Sequence, residues 1–232
     1  MNIEKIKINH IPALLYGGKR DKLIIAIHGR HASKIDDCTW VLAEEAIKQG
    51  YQVLSFDLPQ HGERVYEENP CKVQECVREL KEVLHFATQL AEHISIFGCS
   101  MGAYFSLLAY QDASIQQAWF LSPVTDMERI IHNIMKWCGI TETEFEVMGT
   151  IENPFETLYW DYYQYVKAHP ITAWPHPTHI LRGETDTLCE KESVSAFAKR
   201  FGCELEEQKG GEHWFHTPNQ LEYFRKWIRK RL

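Results

Sequence analysis

Residues 94–102, ISIFGCSMG, join a short apolar run to the pattern Gly98-x-Ser100-x-Gly102. The apolar run predicts a buried strand, and the apolar residues 103–110 predict a buried helix directly after the turn. Because the chain must reverse within one or two residues, we expect a strained backbone at Ser100 and no room for side chains at the two glycines. The turn also puts Ser100 at a helix N-terminus, which favours negative charge. This context predicts a nucleophile elbow; a glycine-rich turn with an N-capping serine is the alternative.

Apolar runs and helical patterns alternate along the rest of the chain. We predict buried strands at 22–27 (KLIIAI), 51–58 (YQVLSFDL), 118–121 (AWFL) and 178–181 (THIL). A leading hairpin or two antiparallel edge strands are predicted over 3–16, and an edge strand at 204–208. Helical spacing covers 36–49, with Asp37 as the expected N-cap, and also 73–91, 194–201 and 218–231. The alternation predicts a mostly parallel sheet covered on both faces, with ligands bound beyond the carboxyl ends of the strands.

Five motifs follow the predicted strands in a fixed order, and together they resemble the α/β-hydrolase family. They are His28-Gly29, Asp57-Leu-Pro-Gln-His61-Gly62, the Gly98–Gly102 elbow, Gly183-Glu-Thr-Asp186 and Gly211-Glu-His213. The resemblance extends over nearly the whole chain. It implies a single three-layer α/β-hydrolase domain over 1–232, with a mostly parallel central sheet flanked by helices. It also implies a helical cap inserted after the sixth strand, at about 124–177.

The resemblance further implies a catalytic triad of Ser100, His213 and Asp186. A serine hydroxyl needs a base to take its proton, and the base needs a carboxylate that fixes its tautomer. His216, on the same loop as His213, is the rival base. Asp126 is the alternative acid, because some relatives carry the acid after the preceding strand, and Glu184 is a lesser candidate.

An oxyanion hole is implied at the backbone N–H groups of Met101 and Arg30. The Arg30 side chain could bind an acidic group of the substrate, point to solvent, or pair with Asp36, Asp37 or Glu63. We expect His28 and the pair His61-Gly62 to be structural. Cys99, beside the nucleophile, is expected to point into the core.

The cap segment is rich in aromatic residues, most of which we expect to pack the cap onto the sheet. Tyr159, Trp160 and Tyr163 are predicted as candidates to face the substrate, with Tyr165 a further candidate. An aromatic-lined acyl pocket is the functional interpretation of this segment.

Composition excludes several other classes of function. A net charge of -7 argues against a nucleic-acid surface. Seven scattered cysteines without a CxxC pair argue against a disulfide framework or a structural zinc site, and favour a cytoplasmic location. No apolar run approaches a membrane span. We expect no metal and no cofactor, and the sequence carries no signal for a particular oligomeric state.

The expected activity is hydrolysis of a small carboxylic ester through an acyl-enzyme, as in a carboxylesterase. A serine peptidase, such as an aminopeptidase, and a thioesterase are the alternatives among enzymes. A catalytically silent binding protein with the same fold is the alternative outside them; the competent residue types at all three triad positions argue against it.

Overall fold

The computed structural model describes the whole chain from Met1 to Leu232, which contains ten strands. They are β1 (Ile3–Ile8), β2 (Ile11–Tyr16), β3 (Lys22–Ile27), β4 (Tyr51–Phe56), β5 (His93–Cys99), β6 (Ala118–Leu121), β7 (Thr150–Ile151), β8 (Leu158–Tyr159), β9 (Thr178–Gly183) and β10 (Glu204–Gln208). Eight of them form one sheet in the order β1-β2-β4-β3-β5-β6-β9-β10, and β7 pairs with β8 separately. Only the β1–β2 and β2–β4 pairs of the main sheet are antiparallel. The predicted leading hairpin and mostly parallel sheet are confirmed.

Eight helices accompany the strands: α1 (Asp37–Lys48), α2 (Val73–Leu90), α3 (Met101–Ala109), α4 (Met127–Cys138), α5 (Glu142–Met148), α6 (Trp160–Ala168), α7 (Lys191–Phe201) and α8 (Pro218–Arg229). The sequence prediction of Asp37 as the cap of α1 is wrong. Asp36 is the N-cap, because its carboxylate accepts the N–H of Thr39 at 2.7 Å and Asp37 is already in the first helical turn.

The core lies on both faces of the sheet, because the central strands carry apolar side chains on both faces. In β3, Leu23, Ile25 and Ile27 pack into one apolar cluster, and the alternating Ile24 and Ala26 pack into the other. Side chains of α2, α3 and α7 complete the first cluster, and those of α1 and α8 complete the second. This gives the three layers that the sequence predicted.

A helical insertion follows β6, the sixth strand, as predicted. It carries α4, α5, the short β7–β8 pair and α6 before the chain returns to the sheet at β9. The insertion is anchored to α2, where Lys72 Nζ contacts both carboxylate oxygens of Asp161 at 2.9 and 2.8 Å. No helix of this fold combines the length and the apolar character needed to cross a membrane.

Candidate active site

Ser100 occupies a sharp turn between β5 and α3. Its φ of 49° and ψ of −114° lie outside the regions that side-chain-bearing residues favour, which is the strained backbone expected at this position. A Cβ on Gly98 would lie 2.7 Å from Ala103 Cα, and one on Gly102 would lie 2.4 Å from the Ile27 carbonyl oxygen. The two glycines are therefore required by close backbone packing, and the turn directs Ser100 toward the carboxyl edge of the sheet.

Ser100, His213 and Asp186 form one hydrogen-bonded row. Ser100 Oγ lies 2.9 Å from His213 Nε2, and His213 Nδ1 lies 2.8 Å from Asp186 Oδ2. Asp186 is buried, and its other carboxylate oxygen accepts the backbone N–H groups of Leu188 and Cys189 at 3.0 and 2.9 Å. Because a carboxylate only accepts, His213 Nδ1 donates to Asp186 and Nε2 is left to accept the Ser100 hydroxyl proton.

The loops that carry Asp186 and His213 are bonded to each other. Thr185 donates both its backbone N–H and its hydroxyl to the Gly211 carbonyl oxygen, at 2.8 and 2.7 Å. This double contact fixes the two loops relative to each other although Asp186 and His213 are 27 positions apart in the sequence. The acid and the imidazole are thus held in place by backbone contacts as well as by their own hydrogen bond.

The rival triad residues have other contacts. Asp126 is the N-cap of α4, and its carboxylate accepts the Arg129 N–H at 2.9 Å. The Glu184 carboxylate accepts the Gly210 N–H at 2.8 Å. His216 contacts the Trp214 carbonyl oxygen through Nδ1 and stacks on the Trp214 ring. None of the three is hydrogen-bonded to Ser100 or His213.

The loop after β3 lies against the serine. A Cβ on Gly29 would lie 3.1 Å from Ser100 Cβ, so the backbone on either side of Gly29 passes close to the hydroxyl. The Arg30 N–H has no hydrogen-bond acceptor within the protein. The Met101 N–H is the first of α3 and has no intrahelical acceptor. Two backbone donors near Ser100 are therefore free to bind an oxygen of a ligand.

His28 and Asp57 fix the loop after β3 through hydrogen bonds and an ion pair. His28 Nε2 accepts the Leu58 N–H at 3.1 Å and its Nδ1 donates to the Gly29 carbonyl oxygen at 2.8 Å. Burial lowers the pKa of His28 to about 4, so the ring is neutral at physiological pH. The Asp57 carboxylate accepts the Lys34 N–H at 2.9 Å and pairs with the Lys34 ammonium. Both side chains have structural contacts, as expected from the sequence for His28.

A cleft of about 1240 Å³ opens above Ser100 between the sheet edge and the insertion. The catalytic candidates Ser100, His213, Met101 and Arg30 all line it. Its apolar wall comes mainly from the insertion and the histidine loop: Met127, Ile130, Ile131, Ile134, Trp137, Phe145, Phe155, Leu158, Tyr159, Tyr162, Trp214 and Phe215. Such a lining suits an apolar ligand with few polar groups.

The structure corrects two of the three predicted substrate-facing residues. Tyr159 lines the cleft, whereas Trp160 and Tyr163 do not. Tyr163 is 1% exposed and its hydroxyl contacts His132 Nε2 at 2.8 Å. Trp160 packs edge-on against Phe145 inside the insertion. Both rings are used to pack the insertion on itself.

Helix α4 supplies cleft residues that the sequence prediction missed. Ile130, Ile134 and Trp137 lie at spacings of four and three residues, which places them on one helix face. That spacing is present in the sequence and would have indicated an apolar face. Trp137 and Phe155 are both more than half exposed, and their ring centroids lie 5.4 Å apart at the cleft.

The Arg30 side chain pairs with a residue other than the three acidic candidates in the sequence. Its guanidinium lies 2.6 Å from Glu156 Oε1, a residue of the insertion that also lines the cleft. The pairs with Asp36, Asp37 or Glu63 are not formed. Glu63 instead contacts Lys34 Nζ at 2.8 Å, and Asp36 caps α1. An ion pair therefore links the loop after β3 to the insertion across the cleft.

One group of side chains has the composition of a metal site, because ligand atoms of Asp186, Cys189 and His213 lie within 4.8 Å of one another. Their donor atoms already have partners in the protein. His213 Nδ1 faces Asp186, and Cys189 Sγ donates to the Ser122 carbonyl oxygen at 3.4 Å. Burial raises the pKa of the Cys189 thiol, which opposes the thiolate that a metal needs. The donor set fits a hydrogen-bonded row better than a metal centre.

Comparisons with known proteins identify the fold. No protein-family model matches the chain, and no curated protein matches it. Among solved structures, a putative hydrolase from Agrobacterium vitis S4 has a TM-score of 0.80 at 17% identity, covering 99% of this chain and 98% of that one. Mouse alpha/beta hydrolase domain-containing protein 10 has a TM-score of 0.79 at 15% identity, covering 100% and 98%.

Est1E from Butyrivibrio proteoclasticus, in a structure with ferulic acid bound, has a TM-score of 0.78 at 18% identity. The match covers 98% of this chain and 97% of that one. These structures match nearly the full length of the present chain, with TM-scores of 0.78 to 0.80. The chain has the α/β-hydrolase fold.

Proposed function

We propose that this protein is a serine hydrolase that cleaves small carboxylic esters with an apolar acyl group. The observation that carries the proposal is the row from Ser100 Oγ to His213 Nε2 at 2.9 Å and from His213 Nδ1 to Asp186 at 2.8 Å. Distances of this size permit proton transfer without rearrangement. The row opens into the cleft, so a bound carbonyl carbon can approach the serine oxygen.

In the first step, Ser100 Oγ attacks the ester carbonyl carbon while His213 Nε2 takes the hydroxyl proton. The Asp186 carboxylate accepts Nδ1–H and stabilises the imidazolium that forms. The imidazolium then gives its proton to the alkoxide oxygen as the C–O bond breaks, and the alcohol leaves. Water, deprotonated by the same imidazole, attacks the acyl-enzyme; the bond to Ser100 Oγ breaks, the imidazolium returns its proton to Oγ, and the acid leaves. No step needs an external redox partner.

The free N–H groups of Arg30 and Met101 are the proposed oxyanion hole. The loop that carries Arg30 passes beside Ser100 Cβ, and Met101 begins α3 directly after the serine. Negative charge on the carbonyl oxygen would also face the positive end of the helix dipole. Donors that are fixed before the reaction stabilise the tetrahedral intermediate without reorganisation.

We propose that residues 124–177 act as a cap that selects the acyl group, within a single domain over 1–232. The apolar face of α4, with Ile130, Ile134 and Trp137, and the aromatic pair of Trp137 with Phe155 support this assignment. Burial of apolar ligand surface against this lining would contribute about 25 cal/mol of binding free energy per Å². Est1E has the same fold and was crystallised with ferulic acid, so an aromatic acid ester belongs among the substrates to test.

The decisive experiment is labelling with a fluorophosphonate probe, followed by peptide mapping. The expected result is a covalent adduct on Ser100, absent in Ser100→Ala and kept in a control variant of the exposed Ser114, Ser114→Ala. An unlabelled but folded wild-type protein would support a silent binding protein instead.

A substrate panel then separates the enzyme classes. It contains short and long p-nitrophenyl esters, a ferulate ester, an acyl thioester and an aminoacyl anilide. We expect turnover of the esters with the lowest KM for apolar acyl groups, because the cleft wall is mainly apolar. Preferred turnover of the thioester or of the anilide would replace the ester assignment by the thioesterase or the peptidase.

A further inference from the structure

A pair of cysteines, Cys71 and Cys76, lies beside the cleft and takes no part in the proposed hydrolysis. All seven cysteines of the chain are free, and these two thiols are in contact, with Sγ atoms 3.5 Å apart. Cys71 precedes Lys72, the N-cap of α2, and Cys76 lies in the first turns of that helix. Cys71 lines the cleft, whereas Cys76 is fully buried behind it. The pair therefore has one cysteine in the cleft wall and one buried behind it.

His61 gives this pair a proton acceptor. Its Nδ1 lies 2.8 Å from the Pro59 carbonyl oxygen, and because a carbonyl only accepts, Nδ1 carries a proton. The other ring nitrogen, Nε2, can then accept a proton, and the imidazole is among the groups that lower the pKa of the Cys71 thiol. A cysteine next to an imidazole resembles the arrangement that activates catalytic thiols.

The surroundings of the two thiols shift their pKa values in opposite directions. A hydrogen bond from Cys76, together with His61 and the nearby Arg30 charge, lowers the pKa of the Cys71 thiol. Burial raises the pKa of Cys76 and also of Cys38, Cys99 and Cys189. Of the two sulfurs, Cys71, which also lines the cleft, is the one whose surroundings favour the thiolate.

From this geometry we infer that Cys71 and Cys76 form a redox pair, in which a hydroperoxide that enters the cleft oxidises Cys71 and Cys76 closes an intramolecular disulfide. The inference concerns a second reactive site, separate from Ser100. Its existence does not depend on the proposed hydrolysis.

The chemistry balances with the hydroperoxide as the sole oxidant. The Cys71 thiolate attacks the terminal oxygen of ROOH, the O–O bond breaks, and the alkoxide leaves as ROH with the proton held by His61. Cys71 is then a sulfenic acid. The Cys76 sulfur attacks the Cys71 sulfur, its thiol proton is transferred to the departing hydroxyl, and water leaves. Two thiols and one hydroperoxide give one disulfide, one alcohol and one water.

Closure of the disulfide would affect the cap through Lys72. The sulfur atoms would move from 3.5 Å to about 2.0 Å apart, which shifts the start of α2. Lys72 lies between the two cysteines and holds the insertion through Asp161. Its ammonium also lies 4.6 Å from the centre of the Tyr159 ring, which lines the cleft. We therefore expect oxidation to lower ester turnover reversibly; this one consequence rests on the proposed function.

The test is exposure of the purified full-length protein to hydrogen peroxide, alkylation of the remaining thiols, and peptide mapping by mass spectrometry. The expected product is a peptide with Cys71 linked to Cys76, short of two hydrogen atoms and restored by dithiothreitol. Oxidation that starts at Cys138 or Cys203, or a Cys71 that stays reduced while other thiols react, would overturn the inference. This measurement needs no variant and cannot be obscured by misfolding.

Three variants then separate the roles of the thiols, each checked for folding by circular dichroism. Cys76→Ser should leave a Cys71 sulfenic acid that dimedone traps, and Cys203→Ser, the matched control, should form the disulfide at the wild-type rate. His61→Gln should slow oxidation of Cys71 about tenfold at neutral pH, because the thiolate loses its partner. An unchanged rate in His61→Gln, or no trapped adduct in Cys76→Ser, would contradict these roles.

Ester turnover of the same samples distinguishes the two proposals. Loss of turnover in oxidised wild type, with recovery in dithiothreitol, supports coupling of the pair to the cap. If the disulfide forms in a protein that has no esterase activity, the redox pair is supported and the proposed function is contradicted. If the protein with a complete Cys71–Cys76 disulfide keeps full ester turnover, the disulfide does not affect the cap.

Discussion

Asp186 binds His213 through one carboxylate oxygen and two backbone N–H groups through the other. Oδ2 lies 2.8 Å from His213 Nδ1, while Oδ1 accepts from Leu188 and Cys189 at 3.0 and 2.9 Å. These backbone hydrogen bonds fix the orientation of the carboxylate independently of the imidazole. In this orientation Oδ2 accepts Nδ1–H, which fixes the tautomer of His213.

Asp186→Asn is expected to lower kcat for an ester by about 10⁴-fold. The amide keeps the size of the side chain, but its NH₂ group can face His213 Nδ1, which then carries no proton and leaves Nε2 protonated. A protonated Nε2 cannot accept the hydroxyl proton of Ser100. The measurement is steady-state kinetics on a p-nitrophenyl ester.

Asp126→Asn is the matched control for this substitution. Asparagine caps helices as well as aspartate does, so α4 keeps its first turn and kcat should stay within about twofold of wild type. A large loss of kcat in Asp126→Asn, with Asp186→Asn still active, would assign the acid to position 126 instead.

Gly102→Ala is expected to lower the free energy of unfolding by about 3 kcal/mol. The new methyl group would meet two backbone carbonyl oxygens, at 2.4 Å from Ile27 and 2.5 Å from His28, and neither can rotate away. Gly18→Ala is the control, because only the tip of Arg20 lies within 4.0 Å of its Cβ. Urea unfolding of both variants checks the prediction, and equal stabilities would contradict it.

The elbow was predictable because its causes are local. A strand, a one-residue reversal and a helix lie within residues 94–110, and the sterics of Gly98 and Gly102 follow from that succession. The meeting of Ser100 with residues 186 and 213 was predictable from topology. Parallel strands end at the same edge of the sheet, so the residues that follow them converge there.

The interior of the insertion was not predictable in the same way. Whether an aromatic ring faces the cleft or a neighbouring helix depends on how α4, α5 and α6 pack, and several rings of similar size compete for those positions. Tyr163 and Trp160 pack with Phe145, whereas Tyr159 reaches the cleft. The Arg30–Glu156 pair joins residues 126 positions apart, in two loops whose approach no local pattern indicates.

Replacing Arg30 tests whether its backbone or its side chain acts in catalysis. Arg30→Ala keeps the N–H, so kcat should stay within about threefold; the lost ion pair with the partly exposed Glu156 is worth about 1 kcal/mol or less. Arg30→Pro removes the N–H, and kcat should fall about 10²–10³-fold. Kinetics are compared with thermal unfolding of both variants. A folded Arg30→Pro protein with normal kcat would exclude this donor.

His28 is expected to make stability depend on pH. Its pKa in the folded protein is about 4, below the ordinary value of 6.5, because burial opposes its charge. The unfolded chain therefore binds a proton near pH 6.5, and the folded protein does so only near pH 4. The stabilisation is complete above pH 6.5 and is lost as the pH falls to 4, by about 3 kcal/mol.

His28→Gln removes this titrating group, so the loss of unfolding free energy between pH 7 and pH 4 should be about 3 kcal/mol smaller than in wild type. Urea unfolding at a series of pH values measures the difference. His93→Gln, which changes an exposed histidine, should keep the wild-type dependence. The comparison of slopes matters because glutamine at position 28 also disturbs the bonds to Leu58 and Gly29 and lowers stability at every pH. Parallel curves for wild type and His28→Gln would show that the buried ring does not resist protonation.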